Sequence, residues 1–302
     1  MRLSHSVTSH YIPIQNRNIH YLQRAGQGDH APLLILFHGF PENAHAWDAL
    51  INQLPDDYHV IAPDLPGYHK SETLGDEKHY SVPALVSRMG EFVQKISGKR
   101  KAILVGHDWG GALAWPLAAF QPQLFSQLII INAAHPSTFT QALKSSAVQR
   151  RKSEYIHQLI ARDAEEQLSQ SGFAMFRKIL GDTLFTPDNK YGASLIADWN
   201  QPHTLTAMLN YYRQMPQAAP REKATQKQLD ALRVPDIRIS LPVLVLWGRL
   251  DEAFDETVLD NLPQYVEQLR IVYHNTATHW IHREQASWVA REIELFVNQK
   301  SN

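Results

Sequence analysis

The stretch "VGHDWGG" (residues 105–111) combines the end of an apolar strand, a tight turn and the start of a helix. Its frame G-x-D-x-G matches the strand–turn–helix motif G-x-S-x-G, whose central residue is an exposed nucleophile. Asp108 occupies this central position, where serine is usual. The stretch therefore predicts a parallel sheet that presents a carboxylate at its carboxyl edge.

Short apolar runs on both sides of this turn predict further strands. Each run is bounded by Gly, Pro, Asn or Asp, as expected for strands buried on both faces of a parallel sheet. The runs are 33–38, 59–64, 101–107, 128–132, 242–248 and 269–274. Before them, residues 7–26 alternate apolar and polar side chains around "NRN", which predicts a β-hairpin.

Helical patterns separate the strands, at 43–55, 81–97, 109–122 and 283–299. The alternation stops between 135 and 237, where polar helical segments are broken by Pro and Gly. We therefore expect an α/β core, with a mostly parallel sheet flanked by helices, built from 1–134 and 238–302. Residues 135–237 are predicted to form a helical cap over the sheet edge. The alternative interpretation of this segment is an oligomerisation element, for example in a homodimer.

Composition excludes several classes of partner. The 302 residues carry 29 basic and 30 acidic side chains, a net charge of −1, without a basic cluster. Nucleic acid and anionic membrane surfaces are therefore not expected as partners. The absence of cysteine excludes thiolate metal sites and a cysteine nucleophile. The polar start "MRLSHSVTSH" and the short apolar runs predict a soluble, cytoplasmic protein.

A nucleophile needs a base, and the chain offers 16 histidines. In this architecture the base lies on the loop after the last strand, which selects His279 in "NTATHW". Asp251 follows the strand 242–248 most closely and is the predicted acid that orients His279. A zinc site at His279 and His282 is not expected, because further ligands at suitable spacing are missing.

Backbone N–H groups are needed to stabilise an anionic intermediate. Those of Phe40, in "HGFPE", and Trp109 are the predicted oxyanion hole. The chemistry follows from the carboxylate of Asp108. A carboxylate that displaces a leaving group from saturated carbon forms an ester, which water activated by His279 can hydrolyse. The leaving group is then a halide or a strained ring oxygen, and no metal or organic cofactor is expected.

The leaving group decides which donors are needed. An epoxide oxygen leaves as an alkoxide and needs a proton, which a tyrosine with a pKa of about 10 can donate at neutral pH. The predicted cap contains four candidates: Tyr155, Tyr191, Tyr211 and Tyr212. Because adjacent helical residues point about 100° apart, Tyr211 and Tyr212 cannot both face the site. Trp109, Trp199, Trp280 and Phe40 are the aromatic residues expected to line the substrate pocket.

The chain resembles the α/β-hydrolase-fold epoxide hydrolases over nearly its whole length. The matching segments are "HGFPE", "APDLPGY", "GHDWGGALAW", "WNQPHTLTAMLNYYR", "LWGRLDEAF" and "ATHWIHRE". The resemblance implies that Tyr212, immediately before Arg213, contacts the epoxide oxygen, with Tyr155 of "SEYIHQL" as second donor. The sequence after Tyr155 lacks the Phe-Gln-x-Pro usual in the family. The resemblance also implies a cis Phe40–Pro41 bond, a small apolar epoxide and water as substrates, and a vicinal diol as product.

Two other functions fit part of this sequence pattern. Haloalkane and fluoroacetate dehalogenases share the fold and an Asp nucleophile. The former usually carry Asn or Glu at the position of Phe40, and the latter usually carry Arg at the position of Trp109. A non-catalytic ligand-binding relative is the third interpretation. Such proteins commonly lose a member of the triad, whereas all three are present here.

Overall fold

A computed structural model describes residues 6–28, 31–216 and 218–299. Its centre is an eight-stranded sheet in the order β1-β2-β4-β3-β5-β6-β7-β8. β1 and β2 form an antiparallel hairpin, β2 pairs antiparallel with β4, and the remaining pairs are parallel. The strands are β1 Thr8–Ile14, β2 Arg17–Arg24, β3 Leu33–Phe37, β4 His59–Pro63, β5 Ala102–His107, β6 Phe125–Ile131, β7 Ile239–Gly248 and β8 Val266–His274.

Each predicted strand is present, within a few residues of its expected bounds. β3 and β5 are fully buried along their lengths, as their continuous apolar runs indicated. The hairpin turn lies at Gln15 and Asn16, one residue before the centre of "NRN", because these two residues have positive φ. This mostly parallel sheet flanked by helices confirms the predicted fold class.

Five helices flank the sheet and belong to the predicted core. They are α1 Asp48–Ile51, α2 Val82–Ser97, α3 Trp109–Phe120, α12 Ile281–Glu284 and α13 Ala286–Val297. The helix expected over 43–55 is shorter than predicted. It consists of a 3-10 turn, Ala44–Trp47, followed by α1. Asn43 accepts a hydrogen bond from the His45 N–H at its start, and Pro55 disfavours helical backbone after it.

The described residues between 135 and 237 form helices and loops without a strand. We refer to 135–237 as the cap segment. Its helices are α4 Pro136–Ser145, α5 Ala147–Lys152, α6 Ile156–Leu159, α7 Ala164–Gln170, α8 Ala174–Leu180, α9 Lys190–Trp199, α10 Pro202–Arg213 and α11 Gln226–Asp230. A single apolar cluster joins buried side chains of α4 and of α6 to α10 to one face of the sheet, while α1 and α13 cover the other face.

Polar contacts tie the cap segment to the loops that follow β3 and β4 of the core. Tyr211 donates its hydroxyl proton to the Pro66 carbonyl at 2.9 Å, and Trp199 donates its indole N–H to the Pro41 carbonyl at 2.9 Å. The carboxylate of Asp198 pairs with His69 at 2.8 Å and accepts a hydrogen bond from Asn43 at 2.9 Å. The cap segment is therefore anchored on loops that follow β3 and β4. None of the described helices has the length and apolar character required to cross a bilayer.

Candidate active site

Asp108 lies in the sharp turn between β5 and α3. Its φ is +49°, a backbone conformation that is strained for a residue with a side chain. Two glycines permit the close packing of this turn. A Cβ on Gly110 would lie 2.1 Å from the Phe37 carbonyl oxygen, and one on Gly39 would lie 2.4 Å from the Cβ of Asp108. The sequence therefore folds locally so that a carboxylate, 8% exposed, projects from the sheet edge.

His279 stands between two carboxylates. Its Nδ1 lies 2.8 Å from Oδ2 of Asp251, and its Nε2 lies 3.6 Å from Oδ2 of Asp108. Burial alone would lower the pKa of His279, but the charges of Asp251 and Asp108, with their hydrogen bonds, raise it to about 10. The three residues come from the ends of β5, β7 and β8, which meet at one edge of the sheet because these strands are parallel. The structure thus brings together all three members of the predicted triad.

Asp251 is more firmly held than Asp108. Its Oδ1 accepts hydrogen bonds from the backbone N–H groups of Ala253, at 2.6 Å, and Phe254, at 2.8 Å. Its Oδ2 accepts one from the side-chain amide of Asn132 at 2.6 Å, in addition to the contact with His279. Burial would raise the pKa of Asp251, but His279 and these donors lower it. Asp251 therefore remains ionised and fixes the orientation of the imidazole ring.

Asn132 was given no role by the sequence. It directly follows β6, and its side-chain oxygen bridges to β7 by accepting a hydrogen bond from the Gly248 N–H at 2.8 Å. Only the sheet order, which makes β6 and β7 neighbours, reveals that this amide reaches Asp251. In the sequence, the one feature that could have pointed to this role of Asn132 is its position as a polar residue at the carboxyl end of a buried strand.

One of the two predicted oxyanion donors contacts the carboxylate of Asp108. The Phe40 N–H donates to Oδ1 of Asp108 at 2.8 Å. Trp109 is the first residue of α3, so its N–H belongs to the helix-start donors that have no partner within the helix. The peptide bond Phe40–Pro41 is cis, as the resemblance implied. Oδ1 of Asp108 is thus held by a backbone donor, while Oδ2 faces His279.

Two tyrosines of the cap segment line the same cavity as Asp108. Tyr155 precedes α6 and Tyr212 lies in the last turn of α10, and their rings pack edge-on with centres 6.1 Å apart. Burial is the largest cause that raises the pKa of Tyr155 and of Tyr212. The negative charge of Asp108 raises both further, after the interaction with Tyr155 in the case of Tyr212. Both hydroxyls therefore remain protonated and able to donate. Tyr211 points the other way, toward Pro66, in agreement with the helical geometry expected for adjacent residues.

The fourth candidate tyrosine, Tyr191, lies outside the cavity, with its hydroxyl 3.3 Å from the carboxylate of Glu42. Arg213, which follows Tyr212, makes a salt bridge with Glu165 at 2.7 Å. It belongs to the packing of the cap helices rather than to the cavity.

The cavity has a volume of about 560 Å³. Trp109 lines it, but the other three aromatic residues predicted to do so, Phe40, Trp199 and Trp280, do not. This corrects the expectation. The indole N–H of Trp199 donates to Pro41 and that of Trp280 donates to the Ile179 carbonyl, so both rings are packed between cap and core. The Phe40 ring is 3% exposed and packs edge-on against Phe176 and Tyr212.

A second buried polar cluster lies behind His279. Oε2 of Glu42 is 3.1 Å from Nε2 of His282 and 3.9 Å from Nδ1 of His107, and the Arg283 guanidinium is 2.9 Å from Oε1 of Glu42. His107 also donates from Nε2 to the His279 carbonyl oxygen at 3.0 Å. Burial would raise the pKa of Glu42, but Arg283 and His282 lower it to about 2. The sequence predicted no catalytic role for Glu42, His107 or His282.

Glu42, His107 and His282 present ligand atoms within 4.8 Å of one another, close enough in principle to hold a metal ion. The guanidinium of Arg283 already neutralises the same carboxylate and would repel a divalent cation. We assign this cluster as a buried ion-pair network that supports the loop of His279.

Comparisons with known proteins agree with this geometry. Residues 32–286 match the alpha/beta hydrolase fold family. The chain is 31% identical to the AB hydrolase superfamily protein YfhM of Bacillus subtilis over 288 residues, which cover 92% of this chain and 94% of that protein. It is 27% identical to mouse (Mus musculus) epoxide hydrolase 4 over 305 residues, which cover 96% of this chain and 80% of that protein.

Among solved structures, the chain is similar to an epoxide hydrolase from Bacillus megaterium in complex with an inhibitor. The TM-score is 0.84 at 27% identity, and the match covers 96% of this chain and 100% of that one. A variant of the B. megaterium enzyme, complexed with its product (R)-3-[1]naphthyloxy-propane-1,2-diol, matches with the same TM-score at 26% identity and the same coverage.

Proposed function

Because this chain belongs to the α/β-hydrolase-fold epoxide hydrolase family, we propose that it converts small apolar epoxides to vicinal diols through an ester on Asp108. The observation that carries the proposal is a carboxylate at the nucleophile turn, facing an apolar cavity that two tyrosines also line. The proposal includes the division into a core, 1–134 and 238–302, and a cap domain, 135–237, which supplies the tyrosines. Water is the second substrate.

In the first half-reaction, Oδ2 of Asp108 attacks an epoxide carbon from the side opposite the C–O bond that breaks. Oδ1 is engaged by the Phe40 N–H, which leaves Oδ2 as the attacking atom. Tyr212 and Tyr155 hold the epoxide oxygen and donate a proton to it as the ring opens. The product of this step is a hydroxyalkyl ester of Asp108.

In the second half-reaction, His279 takes a proton from water, and the resulting hydroxide attacks Cγ of Asp108. The pKa of about 10 applies to His279 beside two carboxylates. Esterification removes the charge of Asp108, 3.6 Å away, and therefore lowers the pKa of His279 once the ester has formed. The formation of the ester thus converts His279 into a base at the moment when a base is needed.

The oxyanion of the tetrahedral intermediate develops on Oδ1, which already accepts a hydrogen bond from the Phe40 N–H. The Trp109 N–H is the second donor. When the intermediate collapses, the bond between Cγ and the diol oxygen breaks and the diol takes a proton from His279. The proton left on the new carboxyl group restores the tyrosinate formed in the first half-reaction, and the carboxylate of Asp108 is regenerated. One carboxylate oxygen then comes from water.

The halide alternative is less well supported. A haloalkane dehalogenase binds the departing halide with N–H dipoles, typically from Trp or Asn. The indole N–H groups of Trp199 and Trp280 both donate to backbone carbonyls and are not directed at Asp108. Two protonated tyrosine hydroxyls suit an alkoxide leaving group better than a halide.

The test is to trap the ester. His279→Gln should react once with styrene oxide and stop, so that the intact mass rises by one epoxide and peptide mapping places the adduct on Asp108. Asp108→Ala should give neither adduct nor diol. His274→Gln, at the end of β8 and outside the site, is the matched control and should turn over normally. A folded His279→Gln protein that binds styrene oxide without forming an adduct would contradict the covalent mechanism and favour direct attack by water.

A further inference from the structure

The cavity follows α3, because its lining includes Asp108 and Trp109 at the start of this helix and Phe120 and Gln121 at its end. Its inner end is formed by Asp108, Trp109, Tyr155 and Tyr212, of which all but Tyr155 are buried. Its outer end carries four exposed lining residues: Pro83 and Ser87 of α2, Phe120 at the end of α3, and Pro216 of the cap segment. The cavity therefore runs from the proposed nucleophile to an opening between α2, α3 and the segment after α10.

The opposite side of the site is closed by packed side chains. The Phe40 ring packs edge-on against Phe176 of α8, with ring centres 5.1 Å apart, and Phe176 is fully buried. Behind Phe176 lies the indole of Trp199, at 5.1 Å. Trp280, 8% exposed, is fixed to α8 by the hydrogen bond that its indole N–H donates to the Ile179 carbonyl. None of these side chains lines the cavity, so α8 and the residues beneath it form a wall.

The lining of the open side is almost entirely apolar. Asp108 is the one charged residue among the described side chains that line the cavity, and Ser87 and Gln121 lie toward its outer end. A volume of about 560 Å³ falls within the range of pockets that hold drug-sized ligands. The open side can therefore accept a long, uncharged substituent.

We propose that the substrates are terminal epoxides that carry one extended apolar substituent, and that internal epoxides substituted on both carbons are poorly accepted. This inference rests on the proposed epoxide hydrolysis. An oxirane held between Asp108 and the two tyrosines has space for a substituent on one carbon. A substituent on the other carbon would have to enter the wall, where extra carbon atoms in a well-packed region are costly.

The test compares two isomers of equal size and apolarity, 1,2-epoxyoctane and trans-4,5-epoxyoctane. The first carries a hexyl chain on one carbon, whereas the second carries a propyl chain on each. We expect kcat/KM to be about 10- to 100-fold higher for the terminal isomer, since a steric penalty of that kind acts on the transition state. Similar kcat/KM values for the two isomers would overturn the one-sided site while leaving epoxide hydrolysis intact. If neither isomer yields diol nor alkylates His279→Gln, the proposed function itself fails.

Terminal epoxides are also intrinsically less hindered, so a variant must show that the wall causes the preference. Phe176→Leu shortens the side chain behind Phe40 and should raise the relative kcat/KM for the internal isomer several-fold. Phe173→Leu is the matched control, because Phe173 is equally buried and contacts Phe176 and Trp199 without reaching Phe40. Near-UV circular dichroism checks that both variants are folded. An unchanged isomer ratio in folded Phe176→Leu would overturn the assignment of the wall.

Discussion

The core and the cap segment contribute to the site by different physical means. Asp108, Asp251 and His279 follow three parallel strands, and their positions are set by backbone hydrogen bonds and close glycine packing. Tyr155 immediately precedes α6 and Tyr212 lies in α10, and both are positioned by ring contacts. Tyr212 packs against Tyr155, with ring centres 6.1 Å apart, as well as against Phe40 and Trp109. The core therefore fixes the nucleophile and base through its backbone. In the cap segment, substitution of single side chains can change the part of the cavity that faces the substrate.

The largest effect is expected from a substitution in the triad of the core. Asp251→Asn leaves the shape of the site unchanged but removes the charge that orients and polarises His279. By analogy with other triads, kcat should fall by roughly 10⁴. Because the ester can still form, intact mass spectrometry should show alkylated enzyme accumulating during turnover. Asp255→Asn, four residues away and outside the triad, is the control, and a near-normal kcat for Asp251→Asn would mean that His279 needs no orienting acid.

The cap contribution is tested by removing single hydroxyls. Tyr212→Phe keeps the ring contacts and should lower epoxide turnover by roughly 10² to 10⁴, the range for a lost general acid. Tyr155→Phe should cost less, and the double change should cost most. Tyr211→Phe is the matched control on the same helix, since its hydroxyl binds Pro66 away from the cavity. Parent rates in both Tyr212→Phe and Tyr155→Phe would make the tyrosines structural and strengthen the halide alternative.

The smallest effect is expected from a substitution at the contact between the cap segment and the core, where Asp198 meets His69 and Asn43. Asp198→Asn weakens the contacts to His69 and Asn43 without touching the cavity. We expect a loss of about 1 kcal/mol in the free energy of unfolding, because the pair is partly exposed, and a change in kcat of less than about threefold. Urea unfolding and steady-state kinetics measure the two quantities, with exposed Asp188→Asn as control. A large loss of kcat with unchanged stability would show that the junction controls the geometry of the site.

Much of the core could be predicted because its signals are local. A strand buried on both faces is a continuous apolar run, and the turn around Asp108 requires glycines within seven residues. Parallel strands place their carboxyl ends at one edge. Asp251 and His279, in the loops that follow β7 and β8, were therefore predicted to meet, as they do. The roles of these residues in catalysis remain predictions.

The sequence by itself therefore determined the fold class, the carboxylate at the nucleophile turn and the histidine beside it. Only the tertiary structure decided which side chains face the cavity. Trp199 and Trp280 were predicted to line the pocket because they are aromatic. Their indole N–H groups instead donate to backbone carbonyls across the interface between the cap segment and the core. Asn132 reaches Asp251 only because β6 and β7 are adjacent. Such contacts join residues far apart in the chain, and their partners are chosen by packing and hydrogen-bond satisfaction, which no local pattern records.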